Sequence, residues 1–257
     1  MSLKIHSILV VDDNPINQIL IKQQLQYLGY KVELVKNGEE ALQALSVDKF
    51  DILMTDLNMP GMDGYQLTQK IRAASDGRIS LLPIIAITAN ATETEEQKCL
   101  AAGMDGFLTK PIELNFLRNF LLDMQKADNG ESKNQGIRLE TASIDDGIFD
   151  VNVVSHFVGG NMQMVLTLLD TFLDQTSEMI TQIHAACVQN DINSVVNECH
   201  KLKSSARSVG ANRLADLCIT MERVGNEGWL EDIRRLDRQI DALFNQTQAA
   251  IVNVELK

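Results

Sequence analysis

The chain has 257 residues, 45% of them hydrophobic, and a formal net charge of −12. That length suits about two domains of ordinary size, and the apolar fraction is enough to bury real cores, which excludes a disordered chain. The negative balance argues against a nonspecific grip on DNA, RNA or an anionic membrane, because those partners require clustered cations, so we expect neither nucleic acid nor membrane as a direct partner. The four cysteines, Cys99, Cys187, Cys199 and Cys218, show no CxxC spacing and sit in helical contexts. Disulfides and structural zinc are therefore not expected, and a reducing cytoplasm fits best. No apolar stretch approaches the roughly 20 residues of a membrane span, and the N-terminus lacks the apolar core of a signal peptide. The opening Met1-Ser2-Leu3 is compatible with a cloning remnant, and so with an excised piece of a longer protein.

Short apolar runs at Ile8 to Val11, Val32 to Val35, Ile52 to Thr55, Ile84 to Thr88 and Gly106 to Thr109 alternate with segments of helical period. This is the pattern of βαβ units. Most of the runs are continuous rather than alternating in polarity, as strands buried on both faces of a parallel sheet would be. The spacing predicts an α/β domain over residues 1–126. Pro15 opens its first helix, Gly29 ends that helix, and Lys126 closes the fifth. Residues 127–147 are polar and poor in apolar periodicity, which predicts a linker. From Phe149 onward there is no convincing strand run, and apolar residues recur at spacings of three and four, as in Val165, Leu168, Leu169, Phe172, Thr176, Met179, Ile180 and Ile183. The segment 148–257 is therefore expected to be an all-α antiparallel bundle, with a long helix from Met162 to Gln189. Gly159-Gly160, Asn190-Asp191, Gly210 and Gly225 to Gly228 punctuate it.

In an open doubly wound sheet, ligands sit beyond the carboxyl ends of the strands. The residues ending the runs are Asp12-Asp13, Asp56, Thr88 and Lys110. Gathered carboxylates would repel by roughly 4 kcal/mol per close pair at an effective dielectric of 20, so positive charge must compensate. Lys110 and a divalent oxygen-binding cation would do so. Magnesium, or manganese in its place, suits one or two carboxylates completed by water and phosphate oxygens. The metal would also neutralise charge developing in phosphoryl transfer. Asp56, at the end of an apolar run and before the Pro60-Gly61 turn, is the candidate nucleophile. Thr88 can hydrogen-bond a phosphoryl oxygen, and Lys110 can pair with another.

On these residues, together with the strings Asp-Asp-Asn-Pro-Ile-Asn and Met-Pro-Gly-Met-Asp-Gly, residues 7–126 resemble the receiver domain of two-component response regulators, most closely the receivers of hybrid sensor kinases. The resemblance implies a flavodoxin-like five-stranded parallel sheet of order 2-1-3-4-5. It further implies Asp56 as phosphoacceptor and Asp13, Asp56 and the backbone carbonyl of Asn58 as magnesium ligands, with Asp12 acting largely through water. Thr88 and Phe107 would form a switch pair, and Lys110-Pro111 a cis peptide.

In the helical segment, Val195, Cys199, Leu202, Ala206 and Val209 follow a 4-3-4-3 spacing that marks a buried seam. His200, Lys203 and Arg207 lie one residue off it, about 100° around the helix, on a stripe that should flank the seam and face water. Lys203 and Arg207 place positive charge beside the imidazole, which suits an arriving phosphoryl group and the acidic pocket of a receiver. Residues 148 to about 250 thus resemble a histidine phosphotransfer (HPt) domain, a four-helix bundle with one surface histidine. Ser204 stands where that family commonly has glycine, and a hydroxymethyl there would narrow a receiver's approach. Cys199 fits the seam rather than a Cys-His catalytic pair, and His6, His156 and His184 lack a cationic companion pair and read as structural.

The expected function is a phosphorelay. Asp56 takes phosphate from an upstream histidine kinase, and His200 carries it to or from the aspartate of a response-regulator receiver. No kinase core or ATP-binding segment is recognisable, so the chain is a phosphoryl-transfer intermediary, or the C-terminal part of a hybrid sensor kinase whose catalytic domain lies upstream. A magnesium-dependent phosphohydrolase with an aspartate nucleophile would resemble the pocket but needs a second acid where Asn58 stands. A bundle serving as a phosphate-gated interaction module with an idle histidine is disfavoured by Lys203 and Arg207.

Overall fold

The computed structural model describes residues 5–88, 92–126 and 147–255, which divide into two compact units, Met1–Glu140 and Thr141–Lys257. Residues 127–146 of the expected linker lie outside the described residues. In the first unit five strands, β1 (Ser7–Val11), β2 (Lys31–Val35), β3 (Ile52–Asp56), β4 (Ile84–Thr88) and β5 (Gly106–Thr109), alternate with helices α1 (Pro15–Tyr27), α2 (Gly38–Val47), α3 (Gly64–Arg72), α4 (Gly77–Ser80), α5 (Glu93–Ala102) and α6 (Leu114–Lys126). The strands are all parallel, in the order β2-β1-β3-β4-β5. This is the doubly wound architecture expected from the sequence.

The period of two along each strand builds a separate core on each face of the sheet. Leu9, Val11, Leu53, Ile84 and Ala86 pack on one side. Ile8, Val10, Ile52, Met54, Ile85 and Ile87 pack on the other. β3 and β4 are buried throughout, whereas the edge strand β2 alternates exposed and half-buried positions until Val35. Local signals start the helices near the functional end. Asn14 caps α1 by accepting from the N–H groups of Ile16 and Asn17, with Pro15 in the first turn; Asp63 and Gln66 form a reciprocal capping box at α3. One helix was not expected. The single-turn α4 is capped by Asp76 and held by Arg78, which donates to the carbonyls of Asp48 and Leu45. The helix ending at Lys126 is therefore the sixth.

The second unit consists of α7 (Val151–Phe157), α8 (Met162–Gln189), α9 (Ile192–Val209), α10 (Asn212–Asn226) and α11 (Leu230–Glu255). α8 keeps the bounds expected from its apolar period, about 42 Å at 1.5 Å per residue. Asn190 and Gly210 end α8 and α9 in the left-handed conformation. Gly225 was expected among the breaks but lies inside α10, buried. A Cβ there would come within 2.5 Å of Val196 Cγ2, so this glycine lets α9 and α10 approach closely. The Val195, Cys199, Leu202, Ala206 and Val209 seam of α9 is fully buried. No helix among the described residues is long and apolar enough to cross a membrane.

Candidate functional site

At the carboxyl ends of β1 and β3, oxygens of Asp12, Asp13 and Asp56 lie within 4.8 Å of one another. Asp12 is 1% exposed and firmly oriented. Its Oδ1 accepts from the Asn14 N–H at 2.9 Å and from Asn17 Nδ2 at 3.4 Å, and its carbonyl accepts from Gln18 Nε2 at 2.7 Å. Lys110, just past β5, donates to Asp12 Oδ2 at 2.7 Å and also to Asp56 Oδ2. The other Asp56 oxygen accepts the Asn58 N–H at 3.1 Å. Burial pushes the Asp12 carboxyl up to about 6, and the Asp56 charge adds to this, while Lys110 opposes it. Burial alone would lower the Lys110 ammonium, but Asp12 and Asp56 outweigh it and hold its pKa above the ordinary lysine value.

Three carboxylates with one ammonium leave an excess of negative charge among hard oxygen donors. That donor set fits a divalent oxygen-binding cation, and Asp12, Asp13 and Asp56 are the side chains able to hold it. Thr88 ends β4, one residue beyond the Ile87 that pairs with Asp56 in the sheet, and is 2% exposed. Phe107 is half-buried against the core that contains Leu57 and Met59. The Lys110–Pro111 bond is cis. Gly64, whose role no sequence period marks, opens α3. A Cβ there would fall 2.3 Å from the backbone oxygen of Asp56. The glycine of the Met-Asp-Gly string thus lets the loop fold back over the strand end, donating the Gly64 N–H to the Leu57 carbonyl at 3.1 Å.

In the second unit His200 lies in the middle of α9, with about a third of its side chain exposed. Its Nδ1 is 2.8 Å from Glu222 Oε1 on α10. Lys203 Nζ lies 2.8 Å from Glu222 Oε2 and 3.2 Å from the same Nδ1. A carboxylate only accepts, so Nδ1 carries the proton and Lys203 serves Glu222 rather than the ring. Nε2 is then the nitrogen with a lone pair. Burial on its own would raise the Glu222 carboxyl, but hydrogen bonds and charge from His200 and Lys203 outweigh it and hold its pKa below the ordinary value.

Glu222 is the residue that the sequence reasoning missed. Lys203 and Arg207 do share the His200 stripe, but neither stands free beside the imidazole. Arg207 Nη2 donates to Asp216 Oδ1 at 2.7 Å, and Nη1 to Asn212 Oδ1 at 3.4 Å. Ser204 is buried, so its hydroxymethyl does not stand on the exposed stripe. Cys199 is fully buried, and its contact with Cys218, then burial, push its thiol far above the usual range. His184 faces α11, with Nδ1 2.8 Å from Asp237 Oδ1 and Nε2 3.3 Å from Asp241 Oδ1.

Comparison with known proteins finds the response regulator receiver domain over residues 8–122 and the Hpt domain over residues 167–246. The chain is 34% identical to the sensor histidine kinase GacS of Pseudomonas protegens, over 82% of this chain and 23% of that protein. It is 30% identical to the sensor protein EvgS of Escherichia coli, over 84% of this chain and 17% of that one. It thus spans less than a quarter of the length of these relatives. Among solved structures, the receiver domain of a sensor histidine kinase from Pseudomonas aeruginosa, with a magnesium ion coordinated in its active site cleft, is 39% identical over 48% of this chain and 99% of that one, with a TM-score of 0.43.

Proposed function

Because the chain belongs to the two-component phosphorelay proteins, with a response regulator receiver domain followed by an Hpt domain, we propose that Asp56 and His200 are its two phosphoryl acceptors. The observation that carries this reading is that each nucleophile is already oriented by a group of opposite character. Lys110 binds one oxygen of Asp56, and Glu222 binds the Nδ1 proton of His200.

In the first step a phosphohistidine of a histidine kinase meets the pocket at the strand ends. A carboxylate oxygen of Asp56 attacks phosphorus, the O–P bond forms as the N–P bond breaks, and the kinase imidazole leaves neutral or takes a proton from water. Lys110, held between Asp12 and Asp56, pairs with a phosphoryl oxygen, and the Thr88 hydroxyl donates to another. Asp13, Asp56 and the Asn58 carbonyl would hold a magnesium ion, with Asp12 acting largely through water, and the ion would supply charge neutralisation for the transferring group. Thr88 and Phe107 then report the modification to the surface.

In the second step Nε2 of His200 attacks an aspartyl phosphate of a receiver, forming N–P as O–P breaks. The Nδ1 proton stays on the ring, and Glu222 stabilises the positive charge that the imidazole acquires. Phosphate leaves by the reverse route to a response-regulator receiver. We place the chain in the reducing cytoplasm, where its buried cysteines remain free thiols, with the receiver over residues 1–126 and the phosphotransfer bundle over 148–257. It would act as part of a hybrid sensor histidine kinase like the relatives it matches. Labelling the intact chain with a small phosphodonor and magnesium tests the assignment. Asp56→Asn should remove the base-labile label, and His200→Gln should remove only the acid-labile label. Base-labile phosphate on the Asp56→Asn chain at the unmodified rate would overturn it.

A further inference from the structure

The His200 face holds less net positive charge than its sequence suggests. All three cations of α9 have carboxylate partners: Lys201 with Glu198 at 3.1 Å, Lys203 with Glu222 at 2.8 Å, and Arg207 with Asp216 at 2.7 Å. The bundle as a whole is acidic, residues 147–255 holding 14 acidic and 8 basic side chains. Residues 5–126 hold 16 acidic and 11 basic. A receiver of that composition and this bundle repel at long range, and the paired cations of α9 do not offset that charge. Charge across an interface governs encounter rate and choice of partner more than final affinity. Selectivity, in turn, depends on what weakens wrong pairings as much as on what strengthens the right one.

We propose that Asp216 is a specificity-determining residue of this phosphotransfer face. By neutralising Arg207 one turn from Lys203, it withholds the electrostatic steering that would let any acidic receiver dock, and so leaves partner choice to short-range contact. The proposal rests on the reading of His200 as a phosphoryl acceptor and adds what decides which receivers reach it. Glu222 cannot have this role alone, because it is bound to Nδ1 and its loss changes the nucleophile itself. The Asp216 carboxylate pairs with Arg207, and its side chain is 57% exposed, so its charge can be removed without opening the core.

The test uses whole chains in two roles. A His200→Gln chain, phosphorylated on Asp56 with acetyl phosphate and magnesium and freed of excess donor, supplies the label. Asp56→Asn chains, with or without Asp216→Asn, receive it. Asparagine keeps an oxygen for Arg207 and removes the charge. The initial rate of acid-labile label should rise roughly threefold at about 20 mM salt, and the gap should close at about 0.5 M, where screening acts within a few Å. Asp216→Glu should keep the parental rate. Equal rates at low salt overturn the proposal, as does a gain that persists at high salt, since that would be a contact effect. No acid-labile label on any acceptor overturns the phosphotransfer reading of His200 and this proposal together.

Discussion

Asp56 lies at the carboxyl end of a fully buried strand, and its surroundings come from the ends of β1 and β5, from its own loop and from the start of α3. His200 stands in mid-helix, with Lys203 from its own helix and Glu222 from the next. The strand-end pocket is fixed by the sheet, because the register that aligns Asp56 with Ile87 also delivers Thr88. The helical site is fixed by side-chain ion pairs between neighbouring helices, with Glu222 binding both His200 and Lys203. A site held by backbone geometry should fail abruptly when the backbone is forced to move. A site held by side chains should weaken in steps.

The sharpest way to break the comparison is at Gly64. Its Cβ position lies against a backbone oxygen of Asp56 itself, so Gly64→Ala has no flexible side chain to displace. Overpacking of this kind costs about 2 kcal/mol or more, roughly a 10 °C fall in the melting of a domain this size. We expect the receiver transition to fall by that amount in calorimetry, with labelling of Asp56 lost as well. An unchanged receiver transition would show that the loop can move aside.

A smaller effect is expected at Glu222. Glu222→Gln keeps the size and an acceptor oxygen but removes the charge that holds the Nδ1 proton. Loss of a charge-assisted hydrogen bond of about 1.5 kcal/mol predicts a rate of His200 phosphorylation about tenfold lower, with the bundle still folded. Single-turnover transfer kinetics would measure it. Loss of the bundle's helical signal instead would make Glu222 a structural residue.

The smallest effect concerns His184. Burial lowers its imidazolium, but Asp241 and Asp237 outweigh this and place its folded pKa above the ordinary 6.5. A raised folded pKa means that its stabilisation is complete below about 6.5 and is lost as pH rises through the folded value. The difference in melting temperature between the chain and His184→Gln should therefore be largest near pH 6 and shrink towards pH 9. A difference that grows with pH would reverse the assignment.

The sequence carried much of this, unevenly. The strands announced themselves because a buried parallel strand must be apolar throughout, as Ile84 to Thr88 is. The bounds of α8 were legible from a period sustained over many turns. The turn at Gly77–Ser80 was not, since a four-residue helix holds too little of any period and depends on Asp76 and Arg78. Gly225 read as a break because a glycine's neighbours across the bundle leave no local mark. Glu222 and Asp216 escaped for the same reason. They meet His200 and Arg207 across 22 and 9 residues of chain, separations that no helical or strand period relates.

α10 carries one carboxylate that is mostly buried against His200, Glu222 at 14% side-chain exposure, and one that is mostly open to water, Asp216 at 57%. The first is tied to the imidazole and to Lys203, so nearly every replacement there alters the surroundings of His200. The second can vary while the bundle stays intact. A lineage carrying this helix pair could therefore drift or duplicate into new pairings through changes at the open position, while the chemistry at the closed one is inherited unchanged.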